Sequence, residues 1–242
     1  MIQALEEMVT LLYPRRCPLC QDILTDKAAL ICMKCRTKAV PIRGPKCKTC
    51  GKPVASLETE YCPDCQEKTH FFTSGRAVFL YEKEIRKSVY QFKFHNKREY
   101  AGFYVSEMER VCGNEIRTWN PDVIIPIPMY KRKKRQRGYN QAQVIAQVIG
   151  KELDLPVVED LLIRNRKTVA QKQLGSRERA KNLENAFKIS QRWINKQETL
   201  KKILLVDDIY TTGSTLDVCA KVLKQVDIAE VYFGVLCVGI GF

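Results

Sequence analysis

Ile203-Leu-Leu-Val-Asp-Asp-Ile-Tyr-Thr-Thr-Gly-Ser-Thr215 is the stretch on which the fold turns. Its aliphatic start reads as a strand buried on both faces. Two adjacent carboxylates follow, Asp207 and Asp208, then a hydroxyl-rich loop pivoting on Gly213, then a helix marked by Leu216, Cys219, Ala220 and Leu223. A loop of this kind, opening a helix at the carboxyl end of a parallel strand, is a phosphate site. Backbone N–H groups converge there and the helix dipole favours negative charge. Carboxylates directly before it suit sugar hydroxyls or the water shell of Mg²⁺. Together they point to a phosphorylated ribose, with the doublet and the glycine loop side by side at a sheet rim.

Outward from this stretch, strands and helices alternate. Ala77 to Tyr81, Asp122 to Pro128, Leu155 to Leu162, Lys201 to Val206 and Val231 to Val238 read as strands. Residues 82–117 carry helical spacing, and Asn140 to Leu155 is a helix with Val144, Ile145, Val148, Ile149 and Leu153 on one face. The alternation predicts an α/β fold, a parallel sheet with helices on both faces. Ile2, Leu5, Val9 and Leu12 predict a short amphipathic helix over 1–14 that stops at Pro14.

The first third is different. Of 11 cysteines, eight form four pairs: Cys17 with Cys20, Cys32 with Cys35, Cys47 with Cys50, and Cys62 with Cys65. Successive pairs start 15 residues apart. Two thiolates on such a turn reach one ion at about 2.3 Å. The segments between are too short and polar for a core, so metal must supply much of the folding free energy. The expectation is two structural zinc sites, paired sequentially or cross-braced. His70 and His95 are not needed as ligands and read as surface or packing residues. Cys112, Cys219 and Cys237 read as core.

The net charge is +14, and residues 76–138 hold +8 of it, with 15 basic and 7 acidic groups. Such concentration suggests an anionic partner. Six of the seven residues from Lys131 to Arg137 are basic. Lys131, Arg132, Lys133 and Lys134 are candidates for a nucleic-acid backbone. Tyr130, Tyr139, Phe92, Phe94 and Tyr100 are interleaved with cations as in a single-strand site. No apolar run approaches the roughly 20 residues of a membrane span, and no signal-peptide pattern opens the chain, so no membrane insertion and a cytoplasmic location are expected.

The 203–215 run resembles the 5-phosphoribosyl-1-pyrophosphate (PRPP) signature of type I phosphoribosyltransferases. In order, the cysteine-rich head, Pro126-Ile-Pro128, Arg135-Gln-Arg-Gly-Tyr-Asn-Gln141, the segment from Arg164 to Asn182 and the signature make the whole chain resemble a ComF-family competence protein. The resemblance implies a double zinc ribbon over 15–72 and a phosphoribosyltransferase-like domain over 75–242. It makes Asp207 and Asp208 the catalytic pair that binds the ribose hydroxyls, directly or through Mg²⁺-bound water. Thr211, Thr212, Gly213, Ser214 and Thr215 would cradle the 5-phosphate. Pro126, Ile127, Arg135 and Arg137 would face pyrophosphate, together with Arg177 and Arg179 of a closing loop. It also implies DNA uptake, with single-stranded DNA and the competence DNA helicase as partners. An active phosphoribosyltransferase with an unidentified acceptor, and a PRPP sensor without catalysis, are the competing readings.

Overall fold

The aliphatic run at 203–206 lies inside β5 (Lys202–Tyr210), which hydrogen-bonds to a parallel strand on each side. The structure, a computed structural model, describes residues 13–26, 28–165, 186–194 and 200–239. In chain order the other elements are α1 (Met33–Arg36), α2 (Pro63–Glu67), β1 (Ser74–Leu80), α3 (Lys83–Phe94), α4 (Tyr100–Trp119), β2 (Val123–Pro126), α5 (Lys131–Arg137), α6 (Gln141–Leu153), β3 (Leu162–Arg164), β4 (Phe187–Ile189), α7 (Gln191–Ile194), α8 (Ser214–Lys224) and β6 (Glu230–Val238). The sheet runs β1-β6-β5-β2. All its pairs are parallel, with Ile203 opposite both Val231 and Val123.

Strand alternation divides the interior into two cores. Leu204 and Val206 enter the first with Phe92 of α3, Tyr104 and Met108 of α4, and Ile145 and Ile149 of α6. Ile203 and Leu205 enter the second with Leu216, Cys219 and Leu223 of α8 and Phe187 of β4. Helices thus cover both faces, as expected. Cys112, Cys219 and Cys237 are buried, and burial pushes the Cys112 thiol up to about 11.

Some expectations change. The strand expected over 155–162 shrinks to one parallel bridge, Val157 to Ile124. Pro156 has no N–H to continue the ladder. Leu162 instead starts β3, which pairs antiparallel with β4 outside the main sheet. The helical spacing over 82–117 divides into α3 and α4, with Asn96 between them in a left-handed conformation (φ +53°). The helix expected over 1–14 lies almost wholly outside the described residues, as do Arg177, Arg179 and Asn182.

The cysteine-rich head folds as two copies of one 30-residue unit. In each, an antiparallel bridge (Arg16 to Ile23, Lys46 to Pro53) brackets the first Cys pair, and a short helix holds the second. The residue after the first pair is left-handed in both copies, Gln21 (φ 67°) and Gly51 (φ 73°). The head also covers the outer edge of β1. Gly75 N–H donates to the Thr49 carbonyl at 2.8 Å and Ile42 N–H to the Val78 carbonyl at 2.8 Å. An open edge strand is thereby closed to pairing with other chains.

Candidate functional site

The 203–215 run builds one corner of the sheet's carboxyl rim. β5 ends at Tyr210, whose carbonyl accepts from Gly239 N–H at 2.9 Å. The chain then turns at Gly213 (φ +75°), and a side-chain carbon there would meet the Tyr210 phenol. Both facts demand glycine. α8 follows at once, and Asp217 N–H closes its first turn on the Gly213 carbonyl at 2.8 Å. The Thr212 and Ser214 hydroxyls lie 2.9 Å apart. The helix thus begins with its first-turn amides at the rim, beside four residues that carry hydroxyls, Thr211, Thr212, Ser214 and Thr215.

Asp207 and Asp208 are both half-buried at this rim, but the strand period sends them to opposite faces. Asp208 pairs with Lys93 of α3 at 2.9 Å, on the side of the first core. Asp207 lies on the side of Cys219 and Arg164, and its Oδ1 accepts from Asp208 N–H at 2.8 Å. Burial first, and then the Asp208 charge, raise the Asp207 pKa to about 7. The doublet is therefore two groups with different surroundings, not a matched pair on one face.

The segment 135–141 ties the neighbouring loop to this corner. Gly138 (φ +86°) ends α5. Asn140 is buried and donates to the Ile127 carbonyl at 3.0 Å, pinning the turn after β2. Gln141 donates to the Lys93 carbonyl at 3.3 Å and accepts from Arg137 at 2.6 Å. Arg137 also stacks on Phe94, 4.7 Å from the ring centre, and feels the Asp208 charge. Pro126 and Ile127 are buried, whereas Arg135 is exposed with Lys131, Arg132, Lys133 and Lys134. Arg137 therefore points toward the acidic corner, and the rest of α5 toward solvent.

The interleaved aromatics divide in the same way. Phe92, Tyr100 and Tyr139 belong to the first core, so the expectation that they stack on bases is corrected. Their helical spacing with Ile85 and Val89 puts Phe92 inward. Phe94 is 55% exposed, and Tyr90, which sequence reasoning missed, is 51% exposed with ring centres 4.8 Å apart.

The eight paired cysteines gather sequentially. Cys17, Cys20, Cys32 and Cys35 form one cluster and Cys47, Cys50, Cys62 and Cys65 the other, each with its sulfurs within 4.8 Å of one another. The cross-braced alternative is thereby removed. Tetrahedral zinc at about 2.3 Å requires sulfurs about 3.8 Å apart. Cys20 and Cys32 stand at 3.7 Å, and Cys50 and Cys62 at 3.5 Å. Both clusters fit structural zinc sites.

Sequence reasoning also missed His70. Its side chain is 2% exposed and stacks on Phe72, so the packing reading holds and the surface one does not; what went unread is its partner Asp217, 147 residues away. Lys93, one of the cations interleaved with the aromatics, instead pairs with Asp208 at the acidic corner. No local signal marks either.

A family model, the double zinc ribbon domain, matches residues 8–66. The chain is similar to "Competence protein F" of Haemophilus influenzae, with 28% identity covering 89% of this chain and 93% of that one. It is similar to "Competence protein ComFC" of Bacillus subtilis, with 27% identity over 81% of this chain and 78% of that one. It matches the "DNA utilization protein YhgH" of Escherichia coli K12 at 28% identity, covering 93% of this chain and 97% of that one. Along most of its length the chain is thus similar to competence and DNA utilization proteins, with a double zinc ribbon at its head.

Proposed function

We propose that this protein serves DNA uptake in the cytoplasm, holding PRPP at the 207–215 corner and single-stranded DNA along α5, beside the competence DNA helicase. The relatives' names support the DNA role. No helix among the described residues is long and apolar enough to cross a membrane. The observation that carries the reading is Arg137. It closes the exposed basic helix, stacks on exposed Phe94 and lies within the field of Asp208. One residue thus joins a surface fit for stacked bases to a corner fit for a sugar phosphate.

At that corner Thr211 to Thr215 would hold the 5-phosphate, and Asp207 would take ribose hydroxyls. Magnesium accompanying the pyrophosphate fits Asp207, a half-buried carboxyl whose ionisation a nearby cation would restore; its contribution is charge neutralisation. Lys93 already compensates Asp208, leaving that carboxylate to orient Arg137. The ribbon, over 15–72, would serve as the docking and stabilising part, and 75–242 as the ligand-binding part.

Titration calorimetry with PRPP and Mg²⁺ tests the small-ligand half. Binding is expected in the wild type and loss of at least tenfold in affinity in Asp207→Asn. Heat that is absent from the wild type overturns it. Anisotropy with oligonucleotides tests the other half. Affinity should fall as salt rises, with a slope of about −0.7 per phosphate contacted. It should also drop in Lys131→Ala/Lys134→Ala. Pyrophosphate released from PRPP with any acceptor would shift the reading to an active transferase; binding without release would shift it to a sensor.

A further inference from the structure

The second cysteine cluster is not isolated from the rim. His70 Nε2 lies 3.5 Å from the Cys65 sulfur, and its Nδ1 lies 2.7 Å from Asp217 Oδ2. The other Asp217 oxygen accepts from Phe71 N–H at 2.9 Å. Asp217 stands in the first turn of α8, and its own N–H holds the Gly213 carbonyl at 2.8 Å. The His70 ring stacks on Phe72 (4.5 Å, 17°), and Phe72 meets the edge of Tyr210, the ring that packs on Gly213. Two routes, one polar and one aromatic, thus run from Cys65 to the glycine of the loop.

The first ribbon provides an internal control. Thirty residues earlier, the place of His70 is taken by Val40, which is 55% exposed. The unit itself therefore does not require a histidine there.

We propose that His70 is a positioning residue coupling the second cluster to the 211–215 loop, so that metal held by Cys47, Cys50, Cys62 and Cys65 and a phosphosugar held at the loop strengthen each other. A histidine bound to a carboxylate on one side and facing a metal ligand on the other is how outer groups fix a metal site. Coupling between two binding events is reciprocal, so each ligand must raise the affinity for the other by the same factor. The phosphosugar half of this statement rests on the function proposed above; the link between α8 and the cluster does not.

The test uses the full chain loaded with two zinc ions and a chromogenic chelator. A groove of about 310 Å³ lined by Cys65, Lys68 and His70 gives the chelator access to this cluster. His70→Ala and Asp217→Asn are each expected to release one of the two zinc equivalents about tenfold faster, with the other unchanged. The double variant should be no faster than His70→Ala. His70→Gln, which keeps a polar group facing Cys65, should recover part of the slow release. Saturating PRPP should slow release of the same equivalent in the wild type and lose that effect in Asp217→Asn. Unchanged release from Asp217→Asn overturns the proposal, and so does a double variant whose effects multiply. If His70→Ala does not fold, Asp217→Asn decides. If calorimetry shows PRPP bound to the wild type but zinc release is not slowed, the mutual strengthening is overturned and the phosphosugar reading stands; if PRPP does not bind, that reading is overturned and Asp217→Asn alone decides the link from α8 to the cluster.

Discussion

The two ribbons are the same 30-residue unit put to different uses. In the first, Cys20 is exposed, while Cys17 and Cys35 join the core beneath α4. The Leu30 side chain packs against the same core, beside Gly102 of α4. In the second, Cys47, Cys50 and Cys62 are all buried in the core shared with α8. There the contact is between backbones. A side-chain carbon on Gly51 would meet the Gly75 carbonyl at 2.7 Å. The neighbours, not the metal ligands, separate a clip on the surface from a part of the interior. Since the second copy shares α8 with the acidic corner, it is the one placed to influence ligand binding.

The largest test of this contrast is metal loss. Structural zinc is worth roughly 10 kcal/mol or more of apparent binding free energy. Cys50→Ser should lose one zinc equivalent and lower the melting temperature of the whole chain by more than 10 °C. Cys20→Ser should lose the other equivalent with a smaller shift. Equal shifts, measured by calorimetry, would remove the distinction.

Next is Gly51→Ala. The left-handed backbone and the contact with Gly75 together should cost about 2 kcal/mol or more. Gln21→Ala, at the matching position, should be nearly neutral in a denaturant titration, because Gln21 already tolerates φ 67°. If both substitutions are neutral, Gly51 is not an interface residue.

The two aspartates carry the contrast to the rim, because each lies on the face of a different core. The Asp207 pKa is raised from 3.8 to about 7. Between those values the folded chain holds a proton that the unfolded chain has lost, so stability falls as pH rises through this window. Asp207→Asn removes the titrating group. Its stabilisation over the wild type should grow from pH 5 to 7 and stay flat above, in melts of the zinc-loaded chain. Asp208→Asn strands Lys93 instead and should be destabilising, with a smaller pH-dependent change, because it removes only the second cause of the Asp207 shift.

The smallest effect on stability is expected at Phe94. It is exposed, so Phe94→Ala should leave the melting temperature within about 1 °C, with surface changes generally inside about 0.5 kcal/mol. The same variant should weaken oligonucleotide binding by about tenfold, in line with the 1–3 kcal/mol of a base–aromatic stack. Unchanged anisotropy would take Phe94 out of the DNA surface.

What the sequence made legible was local. The 203–215 run shows its strand, turn and helix within thirteen residues, and the even Cys spacing shows the ribbons. The sheet followed because aliphatic runs separated by helical spacing have few other solutions. Even the divergence of Asp207 and Asp208 was readable, since adjacent strand residues must face opposite ways. Chemistry drew attention to the doublet as a pair and hid this. His70 was illegible for another reason. Its role depends on Asp217, and nothing near either residue announces a partner so far along the chain. The strand expected over 155–162 failed because Leu155 N–H turns back to the Gly150 carbonyl, Pro156 has no donor, and only Val157 bridges to Ile124 before Leu162 leaves to pair with β4.

One feature of α5 reaches further. None of its seven residues is buried, and it is anchored by its trailing end at Gly138. Apart from Lys134, which donates to Gln143 of α6 at 3.0 Å, its exposed side chains pack on no core, so their charge can change with little refolding behind them. Charge here is a dial largely separate from the fold, so the strength and salt range of the proposed grip on a polyanion would drift, or be engineered, at little structural expense.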